Sequence, residues 1–412
     1  MYFKIAPEVI PTFGRDREIL SLFDTIKQSN YDYSNIQYQI LVNIIENNLS
    51  IEECSKRWGE EVNILLDKLQ DYGLGDYYSS NVHIEKIKTI NTDLLKNERL
   101  NKFRLKRLSI ELTGECNFNC KFCTSDNLVY RTCGCKKWSD KQRLSLYDYD
   151  RIIDSAIKLG VERVDFIGGE PFLCWDLLKP LIEKLYKNNI QCVVFTNGSL
   201  IDKEKAAFIK SHEVTIILQL FGTNQEAYNN IMESPVDIYK NVQQGISFLR
   251  NSNINFFAHL IVSKFNEDCV ETIKNELNDI NLQEIYIYPT NAFYSPLYYD
   301  KMMDVSVRKL DVNVFTYQYT EVFNNCLYGQ IFIACDGNLY PCVMLRDLLG
   351  NIMEETLWEI FYKRKHKKYW TVTKKDLESC CNCEKNLVCF DCRALDSFAS
   401  KNFKGMKFCN RI

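Results

Sequence analysis

Glu115-Cys116-Asn117-Phe118-Asn119-Cys120-Lys121-Phe122-Cys123 follows directly on an apolar run at 108–112, with three cysteines spaced C-x3-C-x2-C and an aromatic residue before the last. Three thiolates on one short loop can hold three irons of a cubane cluster and leave the fourth open to a chelating ligand. A structural zinc site is instead closed by a nearby fourth Cys or His. Cys133 and Cys135 lie close enough in sequence to supply one, so spacing alone leaves both metals open.

The run at 108–112 is the first of six strand patterns, the others being 161–167, 190–195, 214–220, 256–262 and 284–288. Helical patterns at 147–159, 175–188, 206–212, 238–250 and 268–277 fall between them. Strands alternating with helices predict an α/β fold, a parallel sheet curled into a full or partial barrel, with its chemistry at the carboxyl ends of the strands. The second strand ends in Phe166-Ile167-Gly168-Gly169-Glu170-Pro171. A Gly-Gly pair lets backbone approach a ligand closely, and Glu170 offers an acceptor for an ammonium group. Asn197 closes the third strand, and Gln219 lies near the end of the fourth.

The chain has 412 residues, with 51 Lys+Arg against 54 Asp+Glu and a net charge of −3. That balance argues against a nucleic-acid binder. No apolar run is long enough to span a membrane. The opening residues, MYFKIAPEVIPTFGRDRE, lack the order of a signal peptide, so a cytoplasmic location is expected. Reduced thiols are then the rule, and 18 cysteines read as metal or cluster ligands rather than disulfides. Only Cys54 precedes residue 100, while five lie within 116–135 and nine within 326–409. Cys54, Cys174, Cys192 and Cys269 read as small packed hydrophobes.

Cys116, Cys120, Phe122 and Cys123 after strand one, with Gly168-Gly169-Glu170-Pro171 after strand two, resemble the radical S-adenosylmethionine (SAM) superfamily. The resemblance implies a partial (βα)6 barrel with a [4Fe–4S] cluster on Cys116, Cys120 and Cys123. It also implies SAM contacts from Gly168, Gly169 and Glu170. Family members often carry Asn197's Thr-Asn-Gly context. Gln219 stands where relatives commonly have Ser near the ribose, a departure that leaves its own contact open.

Cys326, Cys342, Cys380, Cys383, Cys389, Cys392 and Cys409, with Gly337 before Cys342, resemble the SPASM domain of radical SAM peptide-modifying enzymes. That resemblance implies two auxiliary [4Fe–4S] clusters, one on Cys326, Cys342 and Cys392 and the other on Cys380, Cys383, Cys389 and Cys409. Two departures stand out. Two residues separate Cys389 from Cys392 where three are usual, and Thr320 lies where a further Cys is expected. The first cluster then keeps an open iron or borrows Cys335 or Cys381. After about 292 the sequence shows little periodicity beyond one helix at 355–368.

Residues 1–90 pattern as strands at 2–5, 9–13 and 19–23, then three helices, a winged-helix order joined to the barrel by a 91–107 linker. Glu60, Glu61, Asp67 and Asp71 on the third helix repel phosphates, which excludes groove binding. Fused here, the unit resembles the recognition element of ribosomally made, modified-peptide pathways. There a leader peptide adds as a strand to the sheet edge. The domains expected are thus 1–90 for leader recognition, 108–300 for the radical SAM core and 301–412 for the SPASM domain.

Taken together, the resemblances imply a radical SAM maturase that cleaves SAM to a 5′-deoxyadenosyl radical and forms a Cys thioether in a precursor peptide. An electron donor such as flavodoxin or ferredoxin is expected. Carbon–carbon cross-linking, a sulfatase-type formylglycine maturase and a non-catalytic Fe–S redox regulator stay open as alternatives.

Overall fold

The computed structural model describes residues 1–14, 18–85, 104–123, 144–233, 237–289, 291–304, 317–390 and 392–409. Cys133 and Cys135 lie outside the described residues, as does most of the expected linker.

Six parallel strands carry the centre of the molecule: β6 (Arg107–Thr113), β7 (Arg163–Gly168), β8 (Gln191–Thr196), β9 (Thr215–Leu220), β10 (Phe256–Val262) and β11 (Asn281–Tyr286). They pair in sequence order, each with its predecessor, as repeated βα units require. β6, β7 and β8 are near-continuous buried runs because helices cover one face and the barrel interior the other, whereas in β11 only Ile285 is buried. The last of the six begins three residues before its sequence pattern, which opened at Glu284.

The helices are built by local chemistry the sequence declares. The helix α4 (Leu146–Leu159) opens on a capping box, Ser145 with Asp148, and ends at Gly160, whose φ of 68° is left-handed. It buries Tyr149, Ile152, Ile153 and Ala156 on one face, and each large apolar side chain so buried contributes about 1.5–3 kcal/mol. At the N-terminal end of the strands, buried Asp165 is held between Arg107 and Arg163.

The sheet does not close, and it does not stop at six. β12 (Gln330–Ile333) pairs in parallel with β6, and β13 (Asn338–Tyr340) and β14 (Gly350–Asn351) extend it antiparallel. The stretch after 292 that shows little periodicity therefore supplies three strands to the barrel sheet. Four buried residues give β12 no alternation to read. The single helix expected at 355–368 is two, Leu357–Tyr362 and Lys367–Trp370. The break falls at Arg364, whose φ of 55° cannot continue a helix.

Residues 1–85 have a core of their own. It gathers Val9, Leu20 and Leu22 with Ile40, Leu41, Leu65, Leu66 and Leu69. β2 (Val9–Phe13), β3 (Ile19–Asp24) and β4 (Ser29–Ser34) form a three-stranded antiparallel sheet in that order. α1 (Asn35–Ile45), α2 (Ile51–Trp58) and α3 (Glu61–Asp71) follow, and β1 (Tyr2–Ile5) pairs with β5 (Gly75–Tyr78). β4 and β5 were not legible in sequence, because SNYDYS and GDYY are short and polar. Ser34 stands at the N-cap of α1 without a side-chain cap bond, whereas Ser50 and Glu53 complete the capping box of α2. This unit touches the cysteine-rich region directly: Lys385 Nζ lies 2.6 Å from both carboxylate oxygens of Asp32 on β4. Among the described residues, no helix is long and apolar enough to cross a membrane.

Candidate active site

The three-cysteine loop leaves β6 at Thr113 and is pinned from two sides. Lys121 N–H donates to Ile231 O at 2.9 Å and Glu233 N–H to Asn119 O at 3.0 Å, anchoring it at the end of the helix Gln225–Ile231. Buried Phe118 and Phe122 pack against Phe221 with ring centroids 6.4 and 5.8 Å apart. A turn closes Cys123 N–H onto Cys120 O at 2.9 Å, bringing those thiols to one side.

The three thiols lie near enough to interact electrostatically, and Cys116 also feels Glu170. Burial pushes the Cys116 thiol up to about 12, and the negative charges of Glu170 and Cys123 add to this. Burial also raises Cys120 well above a free thiol, with Cys123 and Cys116 contributing. Such thiols ionise when a metal takes the proton's place. Phe118 N–H donates to Cys116 Sγ at 3.4 Å, and Asn197 Nδ2 lies 3.9 Å from the same sulfur. No disulfide involves them.

The glycine pair after β7 is clamped against this loop. Gly169 N–H donates to Thr113 O at 2.9 Å and Glu170 N–H to Glu115 O at 2.8 Å. A Cβ at Gly169 would lie 2.0 Å from Glu115 O, and Gly168 adopts a φ of 131° open to glycine. The buried Glu170 carboxylate accepts from Phe172 N–H (3.0 Å), Thr196 Oγ1 (2.8 Å) and Asn197 N–H (2.8 Å). Burial still raises it to about 7 against the pull of those donors. It therefore commits three of about four acceptor positions to the protein, stitching the ends of β7 and β8 together. Asn197 continues the chain of contacts through Asn117 (2.9 Å), whose Nδ2 donates to Ser199 at 2.8 Å.

Gln219 is buried near the end of β9. Its Nε2 lies 3.2 Å from His259 Nδ1, while its Oε1 has no partner among the described residues. Burial lowers His259 to about 4, leaving a neutral ring. An orphaned buried carbonyl oxygen is expensive unless a ligand donor satisfies it.

In the C-terminal region, Cys342 and Cys392 pack in the main core, whereas Cys380 packs with Val372, Leu377 and Met406, with Cys409 against them. Cys383 N–H donates to Cys380 O at 3.0 Å, and Cys389 N–H to Lys385 O at 2.8 Å. Cys326 lies 3.9 Å from Gln330 Nε2. Cys335 faces the barrel: its N–H donates to Glu111 Oε2 at 3.1 Å, and its thiol contacts Glu111 and Gly114. Cys381 Sγ lies 3.3 Å from Glu378 O. Among the described residues, no three Cys, His, Asp or Glu side chains converge on one metal-ion position. A cubane spreads its ligands over separate irons and needs no such common point.

The loop thiolates, the glycine cradle that a Cβ would fill and the orphaned Gln219 oxygen fit a cluster with a chelating ligand beside it. Thr196, Asn117 and Ser199 escaped sequence reasoning because they act through neighbouring loops. Glu111 carried a signal, a lone carboxylate inside the apolar run at 108–112.

Residues 110–277 match the radical SAM superfamily model, and 325–384 match the SPASM iron–sulfur cluster-binding domain. An AdoMet-dependent heme synthase of Methanosarcina barkeri is 24% identical over 69% of this chain and 90% of its own. A cysteine-type anaerobic sulfatase-maturating enzyme of Clostridium perfringens is 22% identical over 66% and 84%. The structure of anSMEcpe with bound AdoMet is 20% identical over 71% of this chain and 87% of its own, with a TM-score of 0.54. That of Streptococcus suis SuiB bound to precursor peptide SuiA is 16% identical over 99% and 100%, with a TM-score of 0.50. Residues 110–277 are thus similar to radical SAM domains and 325–384 to SPASM domains, and the chain is an enzyme whose cofactors are SAM and iron–sulfur clusters.

Proposed function

We propose that the enzyme is a maturase of a ribosomally made precursor peptide, and that its leading product is a Cys thioether. The observation that carries the reading is the N-terminal unit. It has its own core, and β4 stands at one edge of the β2–β3–β4 sheet, with no further strand beside it among the described residues, where a peptide strand could add. Tyr31 of β4 stacks on Tyr72 at the end of α3, with centroids 5.6 Å apart, so the edge strand and the end of that helix lie side by side. The likeness to SuiB, whose structure holds a precursor peptide, spans this unit as well.

In this reading Cys116, Cys120 and Cys123 hold the SAM-binding cluster, and Gly168, Gly169, Glu170, Asn197 and Gln219 shape the SAM site. Two auxiliary clusters sit on Cys326, Cys342 and Cys392 and on Cys380, Cys383, Cys389 and Cys409. When bound, cluster and SAM supply a hydrogen-abstracting radical. The glycine pair admits SAM, Glu170 fixes the two loops around it, and buried Phe118, Phe122 and Phe221 keep water out. Forming the thioether removes a hydrogen atom from carbon and a proton from the substrate thiol, and leaves one electron, which the auxiliary clusters would accept. Thr320, where a further Cys is expected, leaves the first auxiliary set one ligand short and suited to a substrate thiolate.

A sulfatase-type maturase is the second reading, favoured by the likeness to anSMEcpe with bound AdoMet and a Cys-containing peptide, which covers 70% of this chain. It gives residues 1–85 no task. Anaerobic reconstitution tests both. About twelve irons are expected, falling by about four in the Cys116/Cys120/Cys123→Ala variant with loss of deoxyadenosine. Deletion of residues 1–90 should abolish binding of a short Cys-containing precursor encoded nearby. Retained binding favours the sulfatase-type reading.

A further inference from the structure

Phe361-Tyr362-Lys363-Arg364-Lys365-His366-Lys367-Lys368-Tyr369-Trp370 holds five cations and no carboxylate, in a chain of net charge −3. Lys363 is drawn to Glu355. Arg364, Lys365 and Lys368 stand exposed around the turn between the two short helices. On the first of those helices Trp358 and Tyr362, four residues apart and hence on one face, are 54% and 75% exposed. Exposed Trp and Tyr beside Arg are the composition of interface anchors rather than of ordinary surface.

The inner side of this segment is tied to an auxiliary cysteine. Trp370 Nε1 donates to Gln330 O at 3.0 Å, and Gln330 Nε2 lies 3.9 Å from Cys326 Sγ. Asn324 bridges the same stretches: its N–H donates to Trp370 O at 2.9 Å, and its Oδ1 accepts Cys326 N–H at 3.0 Å. Gln330 pairs with Arg107, the first residue of β6. The Trp370 end of this segment therefore lies toward the end of the strands opposite Cys116, Cys120 and Cys123. The substrate carbon that loses hydrogen must reach the carboxyl ends, whereas a reductant need only reach a cluster.

We propose that Trp358, Tyr362, Arg364, Lys365 and Lys368 form the docking surface for an acidic one-electron donor protein, with electrons entering on the Cys326 side. The inference rests on the radical SAM activity and on Cys326 as a cluster ligand. Each productive encounter oxidises the donor by one electron and reduces the iron–sulfur set by one. No bond is made or broken at the interface, and each SAM cleaved consumes one such electron. Electron-transfer encounters are small and steered by charge, which suits an exposed aromatic pair beside a basic turn.

Flavodoxin is the probe, with binding measured on the full chain and deoxyadenosine followed separately with reduced flavodoxin and with dithionite. Steering by charge raises association about 10- to 1,000-fold. The Arg364→Glu/Lys365→Glu/Lys368→Glu variant should therefore bind flavodoxin at least about tenfold more weakly at low salt, with the gap closing as salt rises. Flavodoxin-driven turnover should fall in step, while dithionite-driven turnover, iron content and thermal midpoint stay at wild-type values. Trp358→Ala should weaken binding without changing the salt dependence. Unchanged flavodoxin affinity in both variants overturns the proposal. So does weakened precursor-peptide binding with flavodoxin affinity intact, which assigns the surface to the substrate. A wild-type chain unable to cleave SAM with dithionite would remove the activity reading, and the affinity comparison would still decide the docking surface.

Discussion

Glu111, on the first strand of the parallel array, accepts the backbone N–H of Cys335 at 3.1 Å from the turn that joins β12 to β13. Both residues are fully buried, and Gly168 sits over the same carboxylate: its Cβ would lie 3.1 Å from Glu111 Cγ. One side chain thus joins the cysteine-rich region to the glycine pair of the proposed SAM site. Glu111→Ala should cost about 1–3 kcal/mol for the orphaned N–H, read by denaturant unfolding, and should weaken SAM binding. Glu111→Gln, which keeps an acceptor, should recover most of both. Wild-type SAM affinity in Glu111→Ala would show that the link is only structural.

Gly169→Ala should abolish SAM binding. The added methyl group would meet Glu115 O at 2.0 Å, and the nearest atoms it approaches are all backbone of Gly114 or Glu115, which leaves little room to yield. Iron analysis separates the outcomes, because loss of SAM binding with about four irons retained at the loop places the effect on the ligand.

Gln219→Ala should raise the SAM dissociation constant by about tenfold, the equivalent of one net hydrogen bond of about 1.5 kcal/mol, at unchanged iron content. Titration with SAM checks it. An unchanged constant would leave the buried Oε1 without a ligand to explain it.

His366 carries the pH dependence easiest to isolate. It lies between Phe361 and Trp370, with centroids 4.4 Å from each. Burial, helped by the Arg364 charge, lowers it from 6.5 to about 4. The unfolded chain then binds more protons between those values, so stability falls as pH drops from about 6.5 towards 4. The shift amounts to about 3 kcal/mol. His366→Phe should flatten that part of the wild-type profile, measured by denaturation at pH 7 and pH 4.5. Parallel profiles for the two proteins would count against it.

Removing iron should loosen the C-terminal segment before the barrel. Cys380 packs in a cluster with only three other buried hydrophobics, Val372, Leu377 and Met406. So small a core needs its metal as scaffold. Amide exchange at 377–409 should accelerate on chelation while β7 and β8 remain protected. Equal acceleration in both places would argue that the cluster does not scaffold this segment.

The strands and helices of the barrel were legible because each repeats a period that burial enforces: apolar runs for β6 to β10 and a helical pattern at 147–159 for α4. The cysteine loop and Gly168-Gly169 were legible because thiolate ligation and close backbone approach each restrict the residue types allowed. β12 was not, because its partner β6 lies more than 200 residues earlier, and four buried residues do not reveal what they pair with. Nor were the Glu170 stitch from β7 to β8, the Glu111–Cys335 link or the path from Trp370 through Gln330 to Cys326. Each depends on which strand ends become neighbours, which sequence spacing does not record. Local chemistry along the chain determined the repeating units and the ligand-bearing loops. Long-range pairing in the tertiary structure decided which loops meet, because contacts between distant segments are set by the packing of the whole sheet.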